Sequence, residues 1–120
     1  MTAPGPATIR RQVLWAMLAA KVVGAWGLAW DIRWHLTIGR DSFWIAPHVM
    51  IYASVTATLL LAFAVLAADT TRARGAGPRP RETVTVLGVT GSRGFHLAAW
   101  GMALVVLAAP IDDLWHRLFG

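Results

Sequence analysis

The sequence has no cysteine and a single lysine, and only 14% of its residues are charged. Without cysteine there are no disulfides, iron–sulfur clusters or thiolate metal sites. Any bound metal must be held by histidine, carboxylate or backbone oxygen. The shortage of charge is equally restrictive, because a soluble domain carries about a quarter charged residues. A chain of 120 residues leaves no room for two domains, and a soluble core of that size does not need 57% hydrophobic residues. The excess apolar surface must face something other than water, and lipid is the simplest candidate. Other signals are missing too. Gly88, Gly91 and Gly94 share a three-residue spacing but lack the lysine and full preceding strand of a phosphate loop. No Ser-His-acid set can be assembled, and basic and aromatic residues do not interleave as in nucleic-acid binders.

What is present is organised around three apolar runs, each near the ~20 residues that cross a bilayer as a helix. The chain therefore reads as an all-α, multi-pass transmembrane bundle. A segment at 1–12 precedes a first span at 13–35, and an outer loop at 36–46 leads to a second span at 47–68. An Arg/Gly/Pro-rich loop at 69–92 precedes a third span at 93–111, and 112–120 form an outer C-terminal segment. The net charge of +5 comes mostly from arginines flanking the apolar runs, which argues for topology signals rather than a nucleic-acid surface. Arg10 and Arg11 precede the first span, and Arg72, Arg74, Arg79 and Arg81 follow the second. Arg33 and Arg40, between spans one and two, are balanced by Asp31 and Asp41. The positive-inside rule then puts the N-terminus and the arginine-rich loop in the cytoplasm, and the protein in the inner (plasma) membrane.

Lys21 interrupts the first run, so a membrane span is favoured there over a cleaved signal. Lys21 reads as a snorkelling residue. Ala16, Ala20 and Gly24 form a four-residue ridge suited to close helix packing. Val84 to Val89 is β-branched and too short to span, and the sequence leaves open an interfacial segment or an early turn of the third helix.

Asp31-Ile-Arg-Trp-His35 ends the first span, and positions i and i+4 of a helix share a face with Cβ atoms ~5–6 Å apart. The chain turns through Gly39-Arg40-Asp41-Ser42 and re-enters at Pro47-His48, with Pro47 suited to open a helix. Asp31, His35 and His48 thus form an Asp-x3-His-x12-His pattern at one membrane depth: one carboxylate and two imidazoles. Such a set suits copper, zinc or non-haem iron. Tyr52 lies one turn after His48, and Arg40 and Asp41 lie in the turn, so these three are candidates to touch the ligands. The competing reading is an interfacial belt of Trp30, Trp34 and Trp44 beside ordinary polar residues. A repeat favours the metal. Asp31-x-x-Trp34-His35-x3-Gly39 recurs as Asp112-x-x-Trp115-His116-x3-Gly120, offset by 81 residues, so Asp112 and His116 form a second, partial motif.

The stretch from Asp31 to His48, followed by Val-Met-Ile-Tyr52, resembles the C subunit of the membrane-bound copper monooxygenases, the particulate methane and ammonia monooxygenases. The resemblance rests on Asp-x2-Trp-His, Thr37 two residues after His35, the Arg40-Asp41 pair and the later histidine opening a helix. It implies copper held by Asp31, His35 and His48, and a role in oxidising a small apolar substrate. It also implies partner subunits or further copies in a membrane complex. Asp112 and His116 fall where the family has a second Asn-x3-His set, with aspartate here in place of asparagine. The family's C subunit is longer, so the resemblance implies a short or truncated, divergent relative. Two alternatives stay open: a non-catalytic membrane protein that handles metal, and a structural bundle in which Asp31 pairs with His35 and Asp112 with His116.

Overall fold

The structure is a computed structural model that describes residues 5–39, 42–75 and 82–119, without the side chains of 112, 113 and 116. Its elements are three helices, α1 (Pro6–Thr37), α2 (Ala46–Arg74) and α3 (Arg93–Phe119), and two strands, β1 (Thr83–Val86) and β2 (Val89–Ser92), between α2 and α3. All three helices contain windows long and apolar enough to cross a membrane, the third over Arg93–Ile111. The chain is thus all-α in class with about three spans, as its apolar runs predict, and fits an integral membrane protein. Contacts gather into two units, Met1–Thr58 and Leu59–Gly120. The division falls inside α2, so the units are halves of one chain rather than domains joined by a linker.

In the first unit, α1 opens at Pro6, whose fixed φ and missing N–H suit the first helical turn. Nothing interrupts it for 32 residues, roughly 48 Å at the helical rise, which exceeds a ~30 Å hydrocarbon core. It stops where Gly39 takes a φ of 73°, with the Ile38 and Gly39 amides both donating to Trp34 O. Burial on α1 is confined to a narrow stripe: Arg10, Val13, Met17, Ala20, Gly24, Gly27, Asp31 and Trp34 are its buried or half-buried positions. That alternation of three and four residues is the seam of a left-handed helix pair. Outside it α1 is exposed, Trp26 by 69% and Leu18 by 53%, as expected of a surface facing hydrocarbon.

Glycine at the seam sets how close the helices come. A Cβ on Gly24 would stand 2.7 Å from Ser54 Cβ, and one on Gly27 would stand 2.9 Å from Met50 Cβ and 3.0 Å from the Pro47 carbonyl oxygen. Only a residue without Cβ fits there. This is the way small residues join helices in lipid, where burying apolar surface adds little. Ala16, part of the four-residue ridge read from the sequence, is exposed, whereas Ala20 and Gly24 lie on the seam.

In the second unit the undecided Val84–Val89 run is part of an antiparallel hairpin. Thr83 pairs with Ser92 and Val86 with Val89, across a two-residue turn in which Leu87 and Gly88 have φ of 50° and 80°. Two positive φ values match the twist of the flanking strands. Thr70 of α2 holds the hairpin by accepting the Thr90 amide at 2.8 Å and giving its single proton chiefly to Leu66 O at 2.7 Å. Gly91 lies so close to Leu66 that a Cβ would collide with that side chain. His96 of α3 completes the docking. Trp100 Nε1 can only donate, and it reaches His96 Nδ1 at 3.2 Å, so the imidazole proton sits on Nε2 and points to Val84 O at 3.2 Å.

His96 is 5% exposed. Replacing Trp100 by Phe keeps a ring against Phe63, whose centroid lies 5.5 Å away, but strands the buried Nδ1. The expected cost is about 1–3 kcal/mol, read as a lower unfolding midpoint in detergent. The hairpin amides should also exchange hydrogen faster, and unaltered exchange would separate His96 from hairpin docking.

Candidate metal centre

Asp31 occupies the seam of α1 one turn after Gly27, so the close approach at Gly27 delivers its carboxylate to the first turn of α2, where His48 stands. His48 Nε2 lies 3.0 Å from Asp31 Oδ1, and the two side chains are 17% and 18% exposed. His35, one turn beyond Asp31, lies off the seam at 44% exposure, with Nδ1 3.6 Å from the same Oδ1. One carboxylate oxygen therefore stands between imidazoles from two helices. The rings are 6.4 Å apart at their centroids and tilted by 36°.

Proton positions follow from the partners. His35 Nδ1 lies 2.9 Å from the Asp31 backbone oxygen, which can only accept, so Nδ1 carries the proton and Nε2 the lone pair. Metal-ligating histidines commonly use this tautomer, with the non-ligating N–H given to a carbonyl. Asp31 Oδ1, in contrast, is enclosed and accepts no aligned hydrogen bond despite its closeness to His48. A buried carboxylate oxygen in that state is costly unless an ion or a better-aligned donor satisfies it.

The donor chemistry therefore fits a borderline divalent ion. As the side chains stand, however, no group of three or more His, Asp or Glu among the described residues is arranged to hold a metal ion. The reason is His35. Its Nδ1 is turned to its own helix, and two rings this far apart bind one ion only from opposite sides of it. Binding by all three requires His35 to swing about its side-chain torsions, and its exposure leaves room for that.

The other sequence candidates divide. The Tyr52 ring lies 5.8 Å from His48, with Phe43 4.9 Å from Tyr52 and edge-on to Trp44 at 4.9 Å, so an aromatic group flanks the histidine. Arg40 and Asp41 lie outside the described residues, as do the side chains of Asp112 and His116. Lys21 is exposed on α1, about 15 Å along the axis before Asp31. Reading for ligands alone misses Gly27 and Ser54, which set the helix spacing at the cluster. The signal for them was the three–four alternation that continues from Gly24 through Gly27 to Asp31.

The chain matches no family model, no curated protein and no solved structure. What is established is a membrane-type fold with an Asp–His–His cluster between two of its helices, and any finer reading rests on those residues.

Proposed function

We propose that the protein is a multi-pass protein of the inner membrane that binds copper through Asp31, His35 and His48, as a short, divergent relative of the membrane copper monooxygenase C subunit. The observation that carries this reading is the Asp31 oxygen without an aligned hydrogen bond, 3.0 Å and 3.6 Å from nitrogens of two histidines on different helices. The choice of copper comes from the resemblance; zinc and non-haem iron suit the same donors. Bound copper would supply one-electron redox chemistry with oxygen, toward a small apolar substrate reaching it through lipid. The chain's own part is to fix the carboxylate between two helices, keep His48 out of water and leave His35 able to move. Other subunits or further copies would complete an enzyme.

A second reading is favoured by the 3.0 Å approach itself: Asp31 and His48 form a clasp between helices, with no metal. Metal content of the detergent-purified protein separates the two. The wild type is expected to keep copper near one equivalent per chain, with nitrogen couplings in the Cu(II) resonance spectrum. His35→Ala and His48→Ala should each lower retention by at least about ten-fold. Equal metal content in all three proteins leaves the clasp. Where copper is held, oxygen-dependent turnover of short alkanes or ammonia distinguishes an oxidising enzyme from a metal handler.

A further inference from the structure

A groove of about 780 Å³ lies on α1, roughly 90° around the helix from the seam. Ala29 forms its floor, and Trp26, Trp30 and Trp34 form its walls, with Arg33 set among them. We propose that this groove seats one phospholipid with an anionic headgroup, its phosphate on the Arg33 guanidinium and one acyl chain lying over Ala29 and along Trp26.

Three observations select this occupant. The first is charge: among the described residues, Arg33 is the one ionisable side chain lining the groove, and no described carboxylate lines it. Asp31 projects ~200° away around the helix, toward His48. A guanidinium fork matches phosphate oxygens with two parallel bonds. The second is depth. Arg33, Trp30 and Trp34 occupy the last two turns of an apolar span, the level at which tryptophan and arginine meet headgroups. Indole is apolar over most of its surface and donates one N–H, so walls of tryptophan suit the boundary between ester and acyl chain. The third is shape: between bulky neighbours the small Ala29 leaves a slot in an otherwise exposed helix, running toward Val22, which is 61% exposed.

A second copy of this chain suits the groove less well. Two parallel α1 helices meeting there about a two-fold axis would set Arg33 against its own copy, with no acid among the described lining residues to balance the pair. A foreign helix would have to bring a carboxylate to that depth.

The test uses the full chain in nanodiscs of phosphatidylcholine with or without phosphatidylglycerol, released into native mass spectrometry. One phosphatidylglycerol per chain is expected to survive release, and phosphatidylcholine is not. Arg33→Gln should reduce that retention about ten-fold, the equivalent of a single charge-assisted contact. Arg33→Lys should recover part of it. Trp26→Ala should weaken retention of any lipid without changing the headgroup preference. Both positions lie off the seam, so helix content and the unfolding midpoint should hold. Equal retention of both lipids by the wild type would overturn the proposal, and so would unchanged phosphatidylglycerol retention in Arg33→Gln. Oxidative cross-linking of Ala29→Cys chains into dimers would overturn it as well, by filling the groove with a second copy.

Discussion

Exchanging Asp31 for Asn is expected to strip the cluster of metal while leaving the α1–α2 pair in place. Asparagine has nearly the shape of aspartate and keeps an oxygen beside His48 Nε2, so the approach spanning 3.0 Å survives in neutral form. What disappears is the negative charge that would balance a cation between two imidazoles. Loss of a direct anionic ligand should weaken copper retention by at least about 100-fold, more than the 10- to 100-fold cost of disturbing groups behind a ligand. Stability should change by only about 1 kcal/mol, the difference between a charged and a neutral polar contact. Metal analysis and thermal unfolding of the same preparation read both quantities. Undiminished copper in Asp31→Asn would remove the carboxylate from the site, whereas Asp31→Ala cannot discriminate because it removes clasp and ligand together.

A substitution that never touches the ligands should damage the site as severely. At Gly27 a side chain meets Met50 Cβ at 2.9 Å and the Pro47 carbonyl oxygen at 3.0 Å. The methionine can turn aside, but the carbonyl belongs to the helix backbone and cannot move without α2. Gly27→Leu therefore forces the helices apart, at an overpacking cost of about 1–3 kcal/mol. Asp31 is one turn further along the same seam and should be carried away from His48, so metal retention should fall with the unfolding midpoint. Ala16→Leu, on an exposed position of the same helix, serves as the control and should alter neither. A Gly27→Leu protein with normal stability and normal metal content would mean that α1 and α2 do not meet at Gly27.

The sequence made some of this legible and hid the rest for identifiable reasons. Three spans could be read because apolar runs of membrane length need no tertiary information. The pairing of Asp31 with His35 followed from helical geometry, and the return of His48 from a short turn and a proline. The orientation of the His35 ring did not follow, because a hydrogen bond from Nδ1 to the helix's own carbonyl depends on a rotamer rather than on spacing. The packing ridge was half legible. A strict four-residue spacing drifts ~40° per step around a helix, so Ala16 falls off the seam that Gly24 and Gly27 occupy. The hairpin could not be decided from Val84–Val89, since a short β-branched run carries no period that excludes a helix. What settles it is tertiary: the Thr70 hydroxyl, the fit of Gly91 on Leu66, and His96.

The α1 seam from Val13 to Gly27 is built wholly of apolar and small residues, and Asp31 is its one acid. A slide by seven residues would bring Met17 and Ala20, or Asp31 and Trp34, to the places opposite Ser54 and Met50 where only glycine fits. Asp31 adds a second lock to that register. Displaced by seven residues, it would lose His48 as well, leaving a charge at the edge of the membrane without its partner. Metal or no metal, two glycines and one carboxylate together set the phase of the two helices where they meet at this depth.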